Sequence, residues 1–157
     1  MAELPESSLV RKSFTLRAMD MPPSVLLTKR SMLRWFALAF GLISERESRS
    51  TALFVLDALF YFLISKKKQP SSDDIREFIK HNYQRQIGDK LVRYHLNKLI
   101  ELEILSRKKG RYFFNPAPHA ERDDLRASFG YWVKGSVQDS LSEIENVIEK
   151  LSESYSK

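Results

Sequence analysis

The sequence predicts a mainly α-helical fold with one small β-hairpin, in the order helix, helix, helix, hairpin, with further helices flanking that unit at its N- and C-terminal ends. Three observations carry this expectation. Apolar residues recur at helical spacing in five separate segments. After Leu105 the spacing switches to period two, and aromatic residues that favour strands collect there as far as Phe114. Gly110 falls between the two alternating runs, where a tight hairpin needs a positive φ.

Residues 1–24 stand apart as a tail or a short strand. Val10, Phe14, Leu16 and Ala18 lie at even spacing, and Met21-Pro22-Pro23 interrupts the pattern. Residues 25–118 form the expected domain. Its first helix spans Leu26 to Ile43, with Leu33, Phe36, Ala37, Phe40 and Ile43 on one face and Gly41 near its end. A polar connector, Ser44 to Ser50, leads to a second helix from Thr51 to Ser65, with Leu53, Leu56, Phe60, Leu63 and Ile64 at helical intervals. Lys66-Lys67-Lys68-Gln69-Pro70 ends it, because proline cannot continue a helix and lysines suit the negative C-terminal end. The next helix starts at a Ser71/Asp74 capping pattern, carries Ile75, Phe78 and Ile79, and ends near His81. After a short turn comes the helix that ends close to Leu102, apolar at Val92, Leu96, Leu99 and Ile100 and polar at Lys90, Arg93, Tyr94 and Asn97. The hairpin follows, with Arg107 and Arg111 either side of a Lys108-Lys109-Gly110 tip.

Residues 119–157 form a C-terminal helical segment. Gly130 and Gly135 bracket an aromatic patch of Phe129, Tyr131 and Trp132, read as a bend or a packing platform. Val137, Leu141, Ile144, Ile148, Leu151 and Tyr155 then follow at alternating steps of four and three. This stripe fits a helix packed on its own domain and a dimer seam equally well.

With 157 residues, 43% of them apolar and 29% charged, the chain has the composition of a soluble globular protein with one core and extensions. It has no cysteine, which excludes a disulfide framework, a thiolate zinc site and a cysteine nucleophile. The N-terminus lacks the apolar stretch of a secretion signal, and the run from Ala52 to Ile64 is broken by Asp57 and too short to span a bilayer. A cytoplasmic protein without a membrane partner is expected. His81, His95 and His119 are too scattered for a metal site. The chain contains no nucleophile elbow, phosphate-binding glycine loop or dinucleotide fingerprint. No enzyme activity and no cofactor are expected.

The net charge of +6 is unevenly spread: residues 66–111 hold 13 basic against 6 acidic residues, whereas residues 112–157 hold 5 against 8. Positive charge gathered on one unit is the footprint of a nucleic-acid binder.

From Ser50 to Asn115 the chain resembles the winged helix-turn-helix DNA-binding domains of archaeal and bacterial regulators, the ArsR-like and MarR-like groups among them. The resemblance rests on Val92, His95, Leu96, Leu99, Glu103, Ile104, Leu105 and Arg107, set against the pattern V-x-x-H-L-x-x-L-x-x-x-G-[IL]-[ILV]-x-[RK]. Glu103 stands where that pattern has glycine, and Gly88 where a serine cap is common. The resemblance implies a dimeric transcription regulator that contacts double-stranded DNA; an interaction module within a larger complex is the alternative. Arg93 is then suited to guanine and Asn97 to adenine, with Tyr94 on a thymine methyl or a phosphate and Lys90 beside them. Arg107, Lys108, Lys109 and Arg111 would meet phosphates or the minor groove.

His95 suits a structural hydrogen bond, and Asp57 an ion pair with an Arg or Lys. Trp35, Phe36, Phe40, Phe54, Phe60, Tyr61 and Phe62 suit core, subunit interface or, less readily, an aromatic-lined pocket for an effector of unknown identity. Leu141, Ile144, Ile148 and Leu151 are the dimer-interface candidates, with the first helix as the other surface.

Overall fold

The computed structural model describes residues 3–46 and 51–157. The last four residues of the polar connector, 47–50, and the Ser50 boundary of the resemblance fall outside the described residues. The architecture is mainly helical, with a two-stranded antiparallel hairpin and flanking helices.

Helix α1, Lys29–Ala39, begins three residues later than the apolar spacing suggests, because the Thr28 side chain accepts a hydrogen bond from the Ser31 N–H at 3.1 Å and so caps it. The residues before it, Pro23–Leu27, form a 3-10 turn instead. The helix stops where Gly41 takes φ +69°, and a Cβ at that position would lie 2.5 Å from Thr15 Cβ. Both the backbone angle and the close approach of residue 15 therefore require glycine there.

The N-terminal segment is not a strand. After a 3-10 turn at Pro5–Leu9 it runs extended without joining a sheet. It is nonetheless tied down: the Arg17 N–H donates to the Ala39 carbonyl at 2.9 Å, its guanidinium donates to the carbonyls of Leu38 and Ile43, and Phe14 packs on the core. Of the evenly spaced apolar residues Phe14 packs on the core while Val10, Leu16 and Ala18 are exposed, so the even spacing marks no buried face.

Helix α2, Thr51–Phe60, buries Ala52, Val55, Leu56, Ala58 and Leu59, which makes it the centre of the core. Its last turn widens to a π turn over Tyr61–Ser65. Helix α3, Ser72–Tyr83, opens with the expected capping box between Ser71 and Asp74 and buries Ile75 and Ile79. Gln84 in the left-handed conformation ends it. Helix α4, Asp89–Glu101, is capped by Gly88 and buries Val92, Leu96 and Leu99.

Strands β1, Leu105–Lys108, and β2, Arg111–Phe114, pair with Leu105 opposite Phe114 and Lys108 opposite Arg111. Lys109 at φ +53° and Gly110 at φ +76° make the two-residue tip a type I′ turn, the hairpin turn whose twist matches that of the strands. Leu105, Tyr112 and Phe114 enter the core.

Neither Gly130 nor Gly135 breaks the chain. Helix α5, Leu125–Phe129, passes through a π turn at Gly130–Lys134 into α6, Gly135–Tyr155. The aromatic patch is a packing platform: Phe129 meets Phe40 edge-on at 5.5 Å, the Trp132 indole N–H donates to the Pro116 carbonyl at 3.2 Å, and Val133 is fully buried. Helix α6 itself has no buried residue.

Candidate nucleic-acid interface

The start of α3 fastens both the start of α4 and the root of the hairpin. The Ser72 hydroxyl donates to the Asp89 carboxylate at 2.7 Å, and Arg76 Nε donates to the Ile87 carbonyl at 3.0 Å. From the hairpin, the Tyr112 N–H donates to the Pro70 carbonyl at 2.8 Å, while the Arg111 guanidinium donates to the Gln69 carbonyl at 3.0 Å and to Asp74 at 3.2 Å. The Ser71 backbone N–H, the Ser71 hydroxyl and the positive charges of Lys68 and Arg111 together hold the Asp74 carboxyl below its ordinary pKa, although burial opposes them.

With this frame set, α4 turns Lys90, Arg93, Tyr94 and Asn97 to solvent while Val92, Leu96 and Leu99 face the core. Arg93 Nε rests 2.8 Å from Asp89, one turn before it. Lys98 Nζ lies 4.7 Å from the centroid of the Tyr94 ring, so the phenol is flanked by a cation yet remains half exposed.

On the hairpin, Arg107, Lys108 and Lys109 are exposed, and Arg107 lies 5.8 Å from the centroid of the Tyr112 ring. Among the described residues, Lys90, Lys108 and Lys109 have no acidic partner. Arg111 differs from the other candidates. Its contacts with Gln69 and Asp74 make it the pin between hairpin and α3, which its place in a basic run did not reveal.

Glu103, in the place where the resemblance has glycine, takes φ +66°. Its carbonyl accepts from the Asn115 amide, and its carboxylate meets Lys12 of the N-terminal strap at 2.7 Å. The strained turn from α4 to β1 is thus held from two distant segments.

His95 has the structural bond expected of it, at 2.7 Å from the Thr51 hydroxyl. Among the described residues Asp57 has no Arg or Lys partner. It accepts from the Tyr83 hydroxyl at 2.5 Å, and burial, then this bond and the carboxylate charge, push the phenol up to about 12. Phe36, Phe40 and Phe60 serve as core: Phe36 meets Phe40 and Phe60 edge-on at 5.5 and 6.3 Å, and Phe60 meets Phe114 at 5.9 Å. Phe54 instead stacks on Tyr83 at 4.2 Å beside a cleft.

Among the described residues no group of three His, Asp or Glu side chains is placed to hold a metal ion, and no helix is long and apolar enough to cross a membrane. The fold defines a mainly α-helical chain with a β-hairpin wing beside a basic helix. No family model, curated protein or solved structure matches it.

Proposed function

We propose that the chain is a DNA-binding transcription regulator of the winged helix-turn-helix type, which contacts duplex DNA as a dimer. One observation carries the reading. An exposed face of Lys90, Arg93, Tyr94 and Asn97 is tied, through the start of α3, to a hairpin that exposes Arg107, Lys108 and Lys109. A helix bearing amide and guanidinium groups can read base edges, and flexible lysines at a hairpin tip can follow phosphates. The residues proposed to meet bases stand on a regular helix, which fixes their spacing, while those proposed to meet phosphates need no such precision.

The test is duplex binding across ionic strength. Neutralising about six phosphates predicts a roughly thousandfold loss of affinity between about 50 and 200 mM salt. Absence of saturable binding by the folded chain at the lower salt refutes the reading. It would favour the second one, a winged helix serving as an interaction module, for which the half-exposed aliphatic stripe on α6 speaks.

A further inference from the structure

The far end of α3 borders a cleft that the proposed DNA contacts do not use. Its volume is about 530 Å³, within the ordinary range of small-molecule sites, and none of the α4 or hairpin candidates lines it. Among the described residues, four cationic side chains line it: Lys29, Arg30 and Arg34 from α1, and Arg85 from the turn after α3. None of the four forms an ion pair with another described residue, whereas Arg17, Arg76, Arg93 and Arg111 each do. Among the described residues of the lining the one acidic group is Asp57, which accepts from the Tyr83 hydroxyl and keeps its charge, so the described lining sets four positive charges against one negative.

The remaining lining is apolar and aromatic. Leu33 and Leu53 are partly buried there, beside the stacked pair of Phe54 and Tyr83 at 4.2 Å. A concave aromatic and aliphatic wall is of no use to a DNA backbone, which is polar and solvated. It suits a planar ring, and the cations that share the lining suit a ligand that carries several negative charges beside such a ring. A simple carboxylate would satisfy one of the four cations; a chain of phosphates can engage several.

Position separates this cleft from the proposed DNA face. The contacts that fasten α4 and the hairpin lie at Ser72, Asp74 and Arg76, in the first turns of α3, while Tyr83 is its last residue. Helix α3 has 12 residues and is therefore about 18 Å long.

We propose that this cleft binds a nucleoside phosphate, with the base against Phe54 and Tyr83 and the phosphates among Arg30, Arg34, Lys29 and Arg85. Binding stands independently of the DNA reading. An effect of the nucleotide on DNA affinity, transmitted through the 84–88 turn into α4, rests on it.

The experiment is titration calorimetry of the full chain with ATP, adenosine and inorganic tripolyphosphate, without metal and at constant ionic strength. ATP is expected to bind one per chain. Adenosine and tripolyphosphate should each bind at least roughly tenfold more weakly, as loss of the charge contacts or of one base stack implies. Arg30→Ala with Arg34→Ala changes only exposed residues, so the fold should be retained, and ATP affinity should fall by about tenfold or more. Phe54→Leu should cost a similar factor, with an unchanged melting profile as its control. Lys108→Ala with Lys109→Ala should leave ATP binding unmoved.

Three results overturn the proposal. Tripolyphosphate binding as tightly as ATP would mean bare charge. ATP affinity sensitive to Lys108 and Lys109 but not to Arg30 and Arg34 would place the nucleotide on the hairpin. No saturable ATP binding, with duplex affinity lowered by Arg30→Ala and Arg34→Ala, would assign these cations to DNA.

Discussion

Asp74 shows how much one carboxylate can organise. It closes the capping box at the start of α3, accepting from the Ser71 N–H at 3.0 Å, and the same oxygen receives Arg111 from the hairpin at 3.2 Å. The capping half was legible in the sequence, because Ser71 and Asp74 have the required spacing next to an apolar run. The pinning half was not, since it joins residues 37 positions apart. The carboxyl is held below its ordinary pKa, so its stabilisation is fully present above the unfolded value, about 3.9, and is lost as pH falls through the lower folded value. Asp74→Asn should therefore destabilise the fold at neutral pH by roughly 0.5–2 kcal/mol, the usual size of a cap. Urea midpoints measured at neutral pH and again near pH 3 check it, the acidic value lying about a unit below the unfolded pKa. The gap between wild type and variant should narrow in acid, and a gap of constant size would mean that the charge contributes nothing.

Among the elements, local pattern and structure agree where short-range chemistry decides. The capping box of α3, the buried face of α4 and the glycine at the hairpin tip depend on residues within a few positions of one another. The sequence leaves the N-terminal segment open between tail and strand, because its partners, Ala39, Ile43 and Glu103, lie far along the chain. An aromatic-lined pocket was one of the readings open for Phe54, but the cations around it were not legible for the same reason: the lining comes from α1, α2, the end of α3 and the turn after it.

At this scale the proposed function divides labour between helix and hairpin. Arg93→Ala and Asn97→Ala should each cost about 1–3 kcal/mol on a selected site and little on random duplex. The Arg93 ion pair with Asp89 supplies only a few tenths of a kcal/mol to an exposed helix, so Arg93→Ala should leave the melting temperature nearly unchanged. Lys108→Ala and Lys109→Ala should weaken selected and random duplexes alike. Fluorescence anisotropy on both kinds of duplex separates the cases. Equal losses on the two duplexes for Asn97→Ala would remove α4 from the reading role.

Across the whole molecule, charge and apolar surface separate. The basic residues collect between residues 66 and 111, whereas α6 carries five acidic residues and one lysine. One face of α6 is aliphatic. Leu141, Ile144, Ile148 and Leu151 are between 50% and 56% exposed, with Val147 beside them at 57%, so the stripe is not spent on the chain's own core. An exposed heptad stripe on a regular helix matches a second copy of itself, and a two-fold pair would present two α4 helices to a pseudo-palindromic duplex. The facing helices would both be acidic. Screening should therefore tighten self-association as salt rises, opposite to the expected trend for DNA. Replacing Ile144 and Ile148 together by Asp adds charge to the seam, and neither side chain is buried in the single chain, so the fold should survive. Sedimentation of both proteins at tens of micromolar, roughly the range of a weak interface, decides the matter. The wild type should sediment as a dimer, more completely at high salt, and the double variant as a monomer with weakened duplex binding. A wild type that stays monomeric refutes dimerisation. A variant that remains a dimer moves the seam to α1 and the turn before it, where Met32, Leu26 and Leu27 are also exposed.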